Sequence, residues 1–304
     1  MSEITTGQFP EHLLAAVRIM AGEAYKAYPT LLPKMFKIEA STRASEEGVM
    51  MTGSGLGVNK AQGAPIAFSG IQQGFLKRFV HATYSKGYAI TMEMLEDDQS
   101  AVKVSELATR DMVKRMAQTK EIIGANIFNR AFSSSYQNGG DGKALIVSDH
   151  PLGGGGTASN VLATAADLSE ASLEQMLIDI AGIVDENNII TPVMPKALLI
   201  PKELRFEATR LLESMGRVQS SDNDVNAIKY LGAIPELIVN PYLTDTDAFF
   251  ILTDAENSLM HFERRGLKMD SHNDFMTKNT LVSAIESYSF GWVDWRGVVG
   301  TPGA

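Results

Sequence analysis

The chain has 304 residues, 44% hydrophobic and 21% charged, and its 36 acidic against 27 basic side chains give a formal charge of −9. That is material for about two domains of ordinary size, with a globular rather than a disordered composition. The acidic balance opposes an electrostatic grip on DNA or RNA, and the absence of cysteine excludes disulfides, thiolate catalysis and Cys-ligated zinc. Apolar runs of about five residues at most fall far short of the ~20 a membrane helix needs. Met1-Ser2-Glu3-Ile4 shows neither the basic nor the apolar region of a secretory signal, so a soluble chain made in the cytosol is expected.

In chain order, Leu13, Leu14, Val17, Ile19, Met20 and Ala24 predict a helix over 9–28, with Pro10 in its first turn. From Gly48 to Met92 the composition changes. This stretch holds eight glycines and no Asp or Glu, and its charges are Lys60, Lys77, Arg78 and Lys86. It is therefore a cationic segment on an acidic chain. Phe75 to Met92 reads as two antiparallel strands turning at Ser85-Lys86-Gly87. The stretch is too long for an ordinary loop and has too few large apolar groups for its own core. It is either a surface excursion or an arm laid on another subunit. Charge favours the arm, because every copy of an acidic body offers it complementary surface. Glu93, Glu96, Asp97 and Asp98 then form a candidate landing patch, or simply the acidic entrance to a helix.

That helix is predicted from about Ser100 to Phe132, with a stripe through Val104, Ala108, Met112, Met116, Ile123 and Ile127. At 1.5 Å per residue, some thirty residues make a rod of roughly 45 Å. A turn-rich segment follows, with a short strand at 144–147 and four glycines, Gly153, Gly154, Gly155 and Gly156, read as a hinge. A compact α/β region comes next. It has a helix carrying Leu173, Met176, Leu177, Ile180 and Val184 with Ser172 and Gln175 as its capping box, a strand at 197–200, and a helix through Leu204, Ala208, Leu211 and Met215. After a polar loop at 220–226, strands are expected at 237–239, 249–252, 259–263 and 281–288.

Candidate chemistry is sparse. Ser148-Asp149-His150 has the residue types of a hydrolytic triad, but adjacent residues rarely converge on one reacting atom, and Pro151 makes a turn the simpler reading. Gly153 to Gly156 lacks the Lys-Ser/Thr of a phosphate loop. The five histidines are scattered, Asp222-Asn223-Asp224 lacks the rest of a calcium loop, and Arg264-Arg265 suits a solvated strand end. No cofactor or metal is expected. A chain of this size without an active-site constellation reads as structural rather than enzymatic.

Several stretches in this order carry a resemblance. They are Gly53-Ser54-Gly55-Leu56-Gly57 with Ile71-Gln72-Gln73-Gly74, then Tyr88-Ala89-Ile90-Thr91 before Glu96-Asp97-Asp98. Further on come Asp141-Gly142-Lys143-Ala144-Leu145, Asp149-His150-Pro151-Leu152 and Asn160. Pro195 to Pro201, Ile238 to Leu243 and Asp294-Trp295-Arg296-Gly297 complete the set. Together they resemble the major capsid proteins of tailed bacteriophages, the Hong Kong 97 type, and most of all Mu-type prophage head subunits. The resemblance implies an α+β subunit with an N-terminal part at 1–44 and an extended two-stranded arm (the E-loop) at 45–92. A peripheral domain built on a spine helix takes 93–160 and 247–304, and an inserted α/β axial domain takes 161–246.

It also implies a role: self-assembly through pentamers and hexamers into an icosahedral virion shell around phage double-stranded DNA, built in the bacterial host cytoplasm. The implied partners are other copies of the chain, a portal protein, a cement protein in some relatives and a scaffold. About forty residues before the arm are too few for a built-in scaffolding segment, so a separate scaffold protein is expected. Lys60 lies in the arm, yet no residue marks itself as a crosslinking partner, so none is assigned. The alternatives are an encapsulin-like compartment of the same fold and a soluble hydrolase using Asp149 and His150.

Overall fold

The structure, a computed structural model, describes residues 22–63, 65–66, 68, 70–71, 73–91, 93–94, 101–216, 225–277 and 279–304. Of the expected first helix, 22–26 are helical and 1–21 lie outside the described residues. The chain then forms α1 (Leu32–Met35), β1 (Lys37–Ala40), β2 (Ser45–Met51), β3 (Gln73–Val80), β4 (Ala82–Ile90) and the long α2 (Ala101–Asn129). A small ladder of β5 (His150–Pro151) and β6 (Thr157–Ala158) leads to α3 (Glu170–Ala181), β7 (Pro195–Ile200), α4 (Arg205–Glu213), α5 (Ala227–Leu231) and β8 (Glu236–Val239). The last part is β9 (Phe249–Thr253), β10 (Leu259–Asn273), β11 (Thr280–Trp292), a 3-10 turn at Trp295–Gly297 and β12 (Val298–Thr301).

Two four-stranded sheets organise these elements, in the orders β1-β10-β11-β4 and β12-β9-β7-β8. Against the first sheet lies α2, packing Met112, Val113 and Met116 on Met269, Val282 and Ala284. Gly124 is needed in this helix, because a Cβ there would stand 2.5 Å from the Leu32 side chain of α1. The second sheet is buried on both faces, and the two-residue period of its strands divides their side chains between two cores. Ala197, Leu199, Phe250, Leu252 and Val298 pack with Leu32, Phe36, Ile127 and Phe128. Leu198, Ile200, Phe249, Ile251 and Val299 pack under the helices, on Leu173, Met176, Ala208, Leu211 and Ile228.

The structure corrects several expectations. Residues 75–92 are not a hairpin turning at 85–87. Instead β3 pairs antiparallel with β2, while β4 joins the body as an edge strand on β11, with Lys86 opposite Ala284. Residues 144–147 form no strand; Leu145 and Ile146 are buried in irregular backbone, where the Ile146 amide bonds the Ala131 carbonyl. The capping box of α3 sits one turn earlier than expected, at Ser169 and Ser172, and Val184 lies beyond the helix end. Met215 and Val104 are exposed rather than in the core. Finally, β9 and β12, grouped by sequence with the peripheral part, lie in the same sheet as β7 and β8, so a boundary at 247 would cut one sheet.

Candidate functional site

The first surface of interest is the arm. Its root is β2 paired with β3, with a register shift between Val49 and Met51. Phe79 anchors that root: it is buried with Met50, Met260, Phe262 and Val293, its ring edge-on to Phe262 at 4.9 Å. Beyond the root, the described residues of the 52–71 segment form neither helix nor strand. There Leu56, Val58, Ile66, Phe68 and Ile71 stand exposed, Phe68 by 94%. A run of large apolar groups in water is costly to a lone monomer and marks an interaction site.

The arm cations fall into separate roles. Lys60 is exposed on the outreaching segment, and Arg78 is exposed at the root, its Nε donating to Ser45 Oγ at 3.2 Å. Lys77 is half-buried, donates to Asn138 Oδ1, and sits 5.7 Å from the centroid of Phe79; burial holds its ammonium below the usual range. Its hydrogen bond is thus made within its own subunit. Lys86 lies on β4, away from the arm, where a charged side chain blunts an edge strand. Of the acidic patch, Glu93 is exposed, while Glu96, Asp97 and Asp98 lie outside the described residues, as does Asp222-Asn223-Asp224.

The second feature gathers the motifs that carried the resemblance. His150 is fully buried, its Nδ1 2.6 Å from Asp141 Oδ2 and its Nε2 3.2 Å from Asn160 Oδ1. Its ring stacks on Trp295 at 4.5 Å, and the Arg296 guanidinium lies 4.5 Å from the same indole. Asn160 also accepts from the Val147 amide and donates to the carbonyls of Leu145 and Val298. Arg296 donates to Glu186 at 2.9 Å, Asp294 at 3.1 Å and the Val184 carbonyl at 2.7 Å. Burial pushes the Asp141 carboxyl up, but the hydrogen bond and charge of His150 and the nearby amides outweigh it and leave it below its ordinary value. Asp294 is held above its ordinary value by burial, against the pull of Arg296.

These contacts clamp buried polar groups to one another, and the two hydrolase candidates do not meet. His150 faces Asp141 rather than Asp149, and the exposed Asp149 pairs with Lys143. The Asp149–His150 hydrolase reading is therefore corrected. The four glycines expected to act as a hinge lie at the tip of the β5–β6 hairpin, with Gly155 and Gly156 at φ +93 and +89. The backbone there is fastened: the Gly153 amide donates to Glu186 Oε2 at 2.5 Å and the Gly154 amide to the Glu186 carbonyl at 2.7 Å. Glu186 thus joins the hairpin tip to Arg296.

Sequence reasoning missed a third cluster, on the buried face of α2. Lys120 pairs with Glu263 at 2.8 Å and Glu286 at 3.8 Å, and Tyr25 donates to Glu286 at 3.2 Å. Glu121 accepts from the Leu31 amide. Burial raises the Glu286 carboxyl, against the pull of Lys120 and Tyr25. The only signal was a Lys-Glu pair in line with the apolar stripe of Met112 and Met116. Among the described residues, no group of three or more His, Asp or Glu could hold a metal ion, and no helix is long and apolar enough to cross a membrane.

An anchored body with an outreaching apolar ribbon is the design of a building block that completes itself on neighbours. A family model described as phage capsid protein matches residues 77–300, and the chain belongs to that family. It is a structural capsid subunit with the Hong Kong 97-type fold. The capsid of Myoviridae phage XM1 superposes with a TM-score of 0.53 at 9% identity, covering 90% of this chain and 92% of that one. A Mycobacterium phage Patience structure gives 0.52 at 14%, covering 98% and 88%. A virus-like particle from Pyrococcus furiosus gives 0.51 at 10%, covering 94% and 97%. No curated protein matches the chain.

Proposed function

We propose that this chain is the major head protein of a tailed phage or prophage. It assembles through pentamers and hexamers, in the bacterial cytoplasm, into an icosahedral shell around double-stranded DNA. The observation that carries this reading is the arm: a segment of exposed apolar side chains on a firmly packed root, in a chain of the phage capsid family. The arm lies over a neighbouring copy, burying Leu56, Val58 and Phe68 there, while Lys60 and Arg78 meet acidic residues of that copy, Glu93, Glu96, Asp97 and Asp98 among them. Many modest contacts of this kind sum to a strong shell while letting misplaced subunits dissociate first. A separate scaffold and a portal complete the assembly, with a cement protein in the role it has in some relatives. The division into arm, peripheral and axial parts follows the same reading, with β9 and β12 moved to the axial sheet. The finer kinship with Mu-type subunits rests on the sequence motifs.

The test is negative-stain microscopy of the protein expressed with its neighbouring phage genes. Closed hollow particles containing double-stranded DNA are expected. Particles enclosing a cargo enzyme would move the chain to the encapsulin-like reading, and a small soluble oligomer under all conditions would end both.

A further inference from the structure

The loop that follows α3 reaches the start of the arm. Val184 and Ile190 close it as an isolated antiparallel bridge, with the Asp185 amide on the Ile189 carbonyl at 2.7 Å and the Thr191 amide on the Ile183 carbonyl at 2.8 Å. Inside the loop the Asp185 carboxylate accepts from the amides of Asn187 at 2.7 Å and Ile189 at 2.9 Å, which fixes the turn. Asn187 Nδ2 then donates to the Gly53 carbonyl at 2.6 Å, two residues past the end of β2. Gly53 suits this approach, since a Cβ there would stand 3.0 Å from Asp185 Oδ2. The loop's other contacts lead to the clamp and the β5–β6 tip. Glu186 binds Arg296 and the amides of Gly153 and Gly154, and Asn188 Nδ2 donates to the Gly155 carbonyl at 3.3 Å. Gly153 also adjoins the arm, because a Cβ on it would stand 3.3 Å from Thr52 Cγ2. Two residues further out this closeness ends: a Cβ on Gly55 or Gly57 would have no described atom within 4 Å.

We propose that the 183–191 loop is a bracket that sets the direction in which the arm leaves the body, with Asn187 as its positioning residue and the bending of the arm confined to Gly55 and beyond. The β2–β3 ladder fixes the outgoing limb as far as Met51, which pairs with Gln73. A limb held at that point alone would pivot there. Asn187 supplies a second fixed point at Gly53, and two points define a direction. The bracket is rigid although Asn187 is exposed, because Glu186 bolts it to Arg296 through a buried pair. Past the bracket, Gly55 and Gly57 give the backbone the freedom to adapt. The articulation thus lies on the arm itself, while Gly153 to Gly156 belong to the fixed side of the joint. The inference concerns the single subunit and stands independently of the assembly reading.

The absence of native cysteine makes the test direct. Spin labels are placed at Lys60→Cys on the arm and Lys114→Cys on α2, both exposed positions, and doubly labelled chains are diluted with unlabelled protein so that only distances within one chain are read. Double electron–electron resonance should give one narrow distance distribution. Adding Asn187→Ala, which removes the donor to Gly53, should widen it about twofold, because a limb held at one point sweeps a larger cone. The melting temperature should stay where it was, since an exposed side chain contributes little to the fold. A distribution just as narrow with Asn187→Ala, or one already broad with Asn187 in place, would overturn the proposal. So would a fall in melting temperature that accompanies the widening, for the loop would then support the body rather than aim the arm. Should Asn187→Ala misfold by circular dichroism, Gly53→Val, which sets a side chain against Asp185, carries the test with the same outcomes.

Discussion

The clamp around Asn160 and the arm beyond Phe79 solve opposite problems. In the clamp, polar groups are buried and nearly every donor finds an acceptor within the chain: the Asn160 side chain alone serves five backbone or side-chain partners. In the arm, apolar groups are exposed and find no core of their own. The first region specifies one monomer structure, because an unmet buried polar group is expensive and only one arrangement meets them all. The second leaves its stabilisation to be collected from outside. A shell subunit needs both, a body that does not change when it binds and a ribbon that is incomplete until it does.

The sharpest way to break this contrast is to unpair the clamp. Arg296→Leu would leave Glu186, itself buried, without its 2.9 Å partner. Breaking a buried pair from one side costs about 3–5 kcal/mol. Urea unfolding should show that loss, and a change below about 1 kcal/mol would mean the clamp holds nothing. A comparable loss is expected from acid at His261, which is buried against Phe290 with neither ring nitrogen hydrogen-bonded among the described residues. Burial, and after it the charge of Lys120, lowers its pKa from 6.5 to about 3. Between those values the unfolded chain takes the proton and the folded chain does not. Stability is therefore complete above pH 6.5 and falls as pH drops toward 3, by roughly 4 kcal/mol at most. Glu286, raised by burial, works the other way, since the folded chain protonates first. His261→Phe should flatten the decline over this window; an unchanged pH profile would remove His261 as its cause.

Next in size is Asn160→Ala. It strands the Val147 amide and the carbonyls of Leu145 and Val298, for about 2–4 kcal/mol by thermal or urea unfolding. This residue also shows what was legible in the sequence. Asn160, Asp149-His150-Pro151 and Asp294-Trp295-Arg296 were visible as motifs, but their purpose was not. A hydrogen bond between positions 160 and 298 leaves no local trace, whereas the periodicity of α2 and the apolar runs of β7 and β9 do. The same limit explains the misplaced hairpin: Phe75 to Met92 has strand composition throughout, and nothing local says that β3 pairs back to β2 while β4 pairs forward to β11. Lys77 looked like Arg78 because charge is read from sequence and burial is not. The arm tip was legible because its signal is compositional, glycine-rich and acid-free, and composition survives without partners.

The smallest expected effect on stability is the most informative about the arm. Leu56→Ser with Phe68→Ser removes two exposed side chains that make no core contact. Substitutions at such positions stay within about 0.5 kcal/mol, so the melting transition should not move. Assembly should nevertheless fail or slow, because those side chains are the apolar surface a neighbour would cover. Phe79→Ser is the necessary counterpart. It empties the buried anchor shared with Met50 and Phe262 and should cost about 3–5 kcal/mol of monomer stability. If the tip variant melts earlier, the segment is part of the subunit's own core. If it both melts normally and assembles normally by sedimentation, its exposed side chains contribute no contact to the shell. Only an unchanged melt with lost particles separates a ribbon that belongs to the neighbour from a root that belongs to the body.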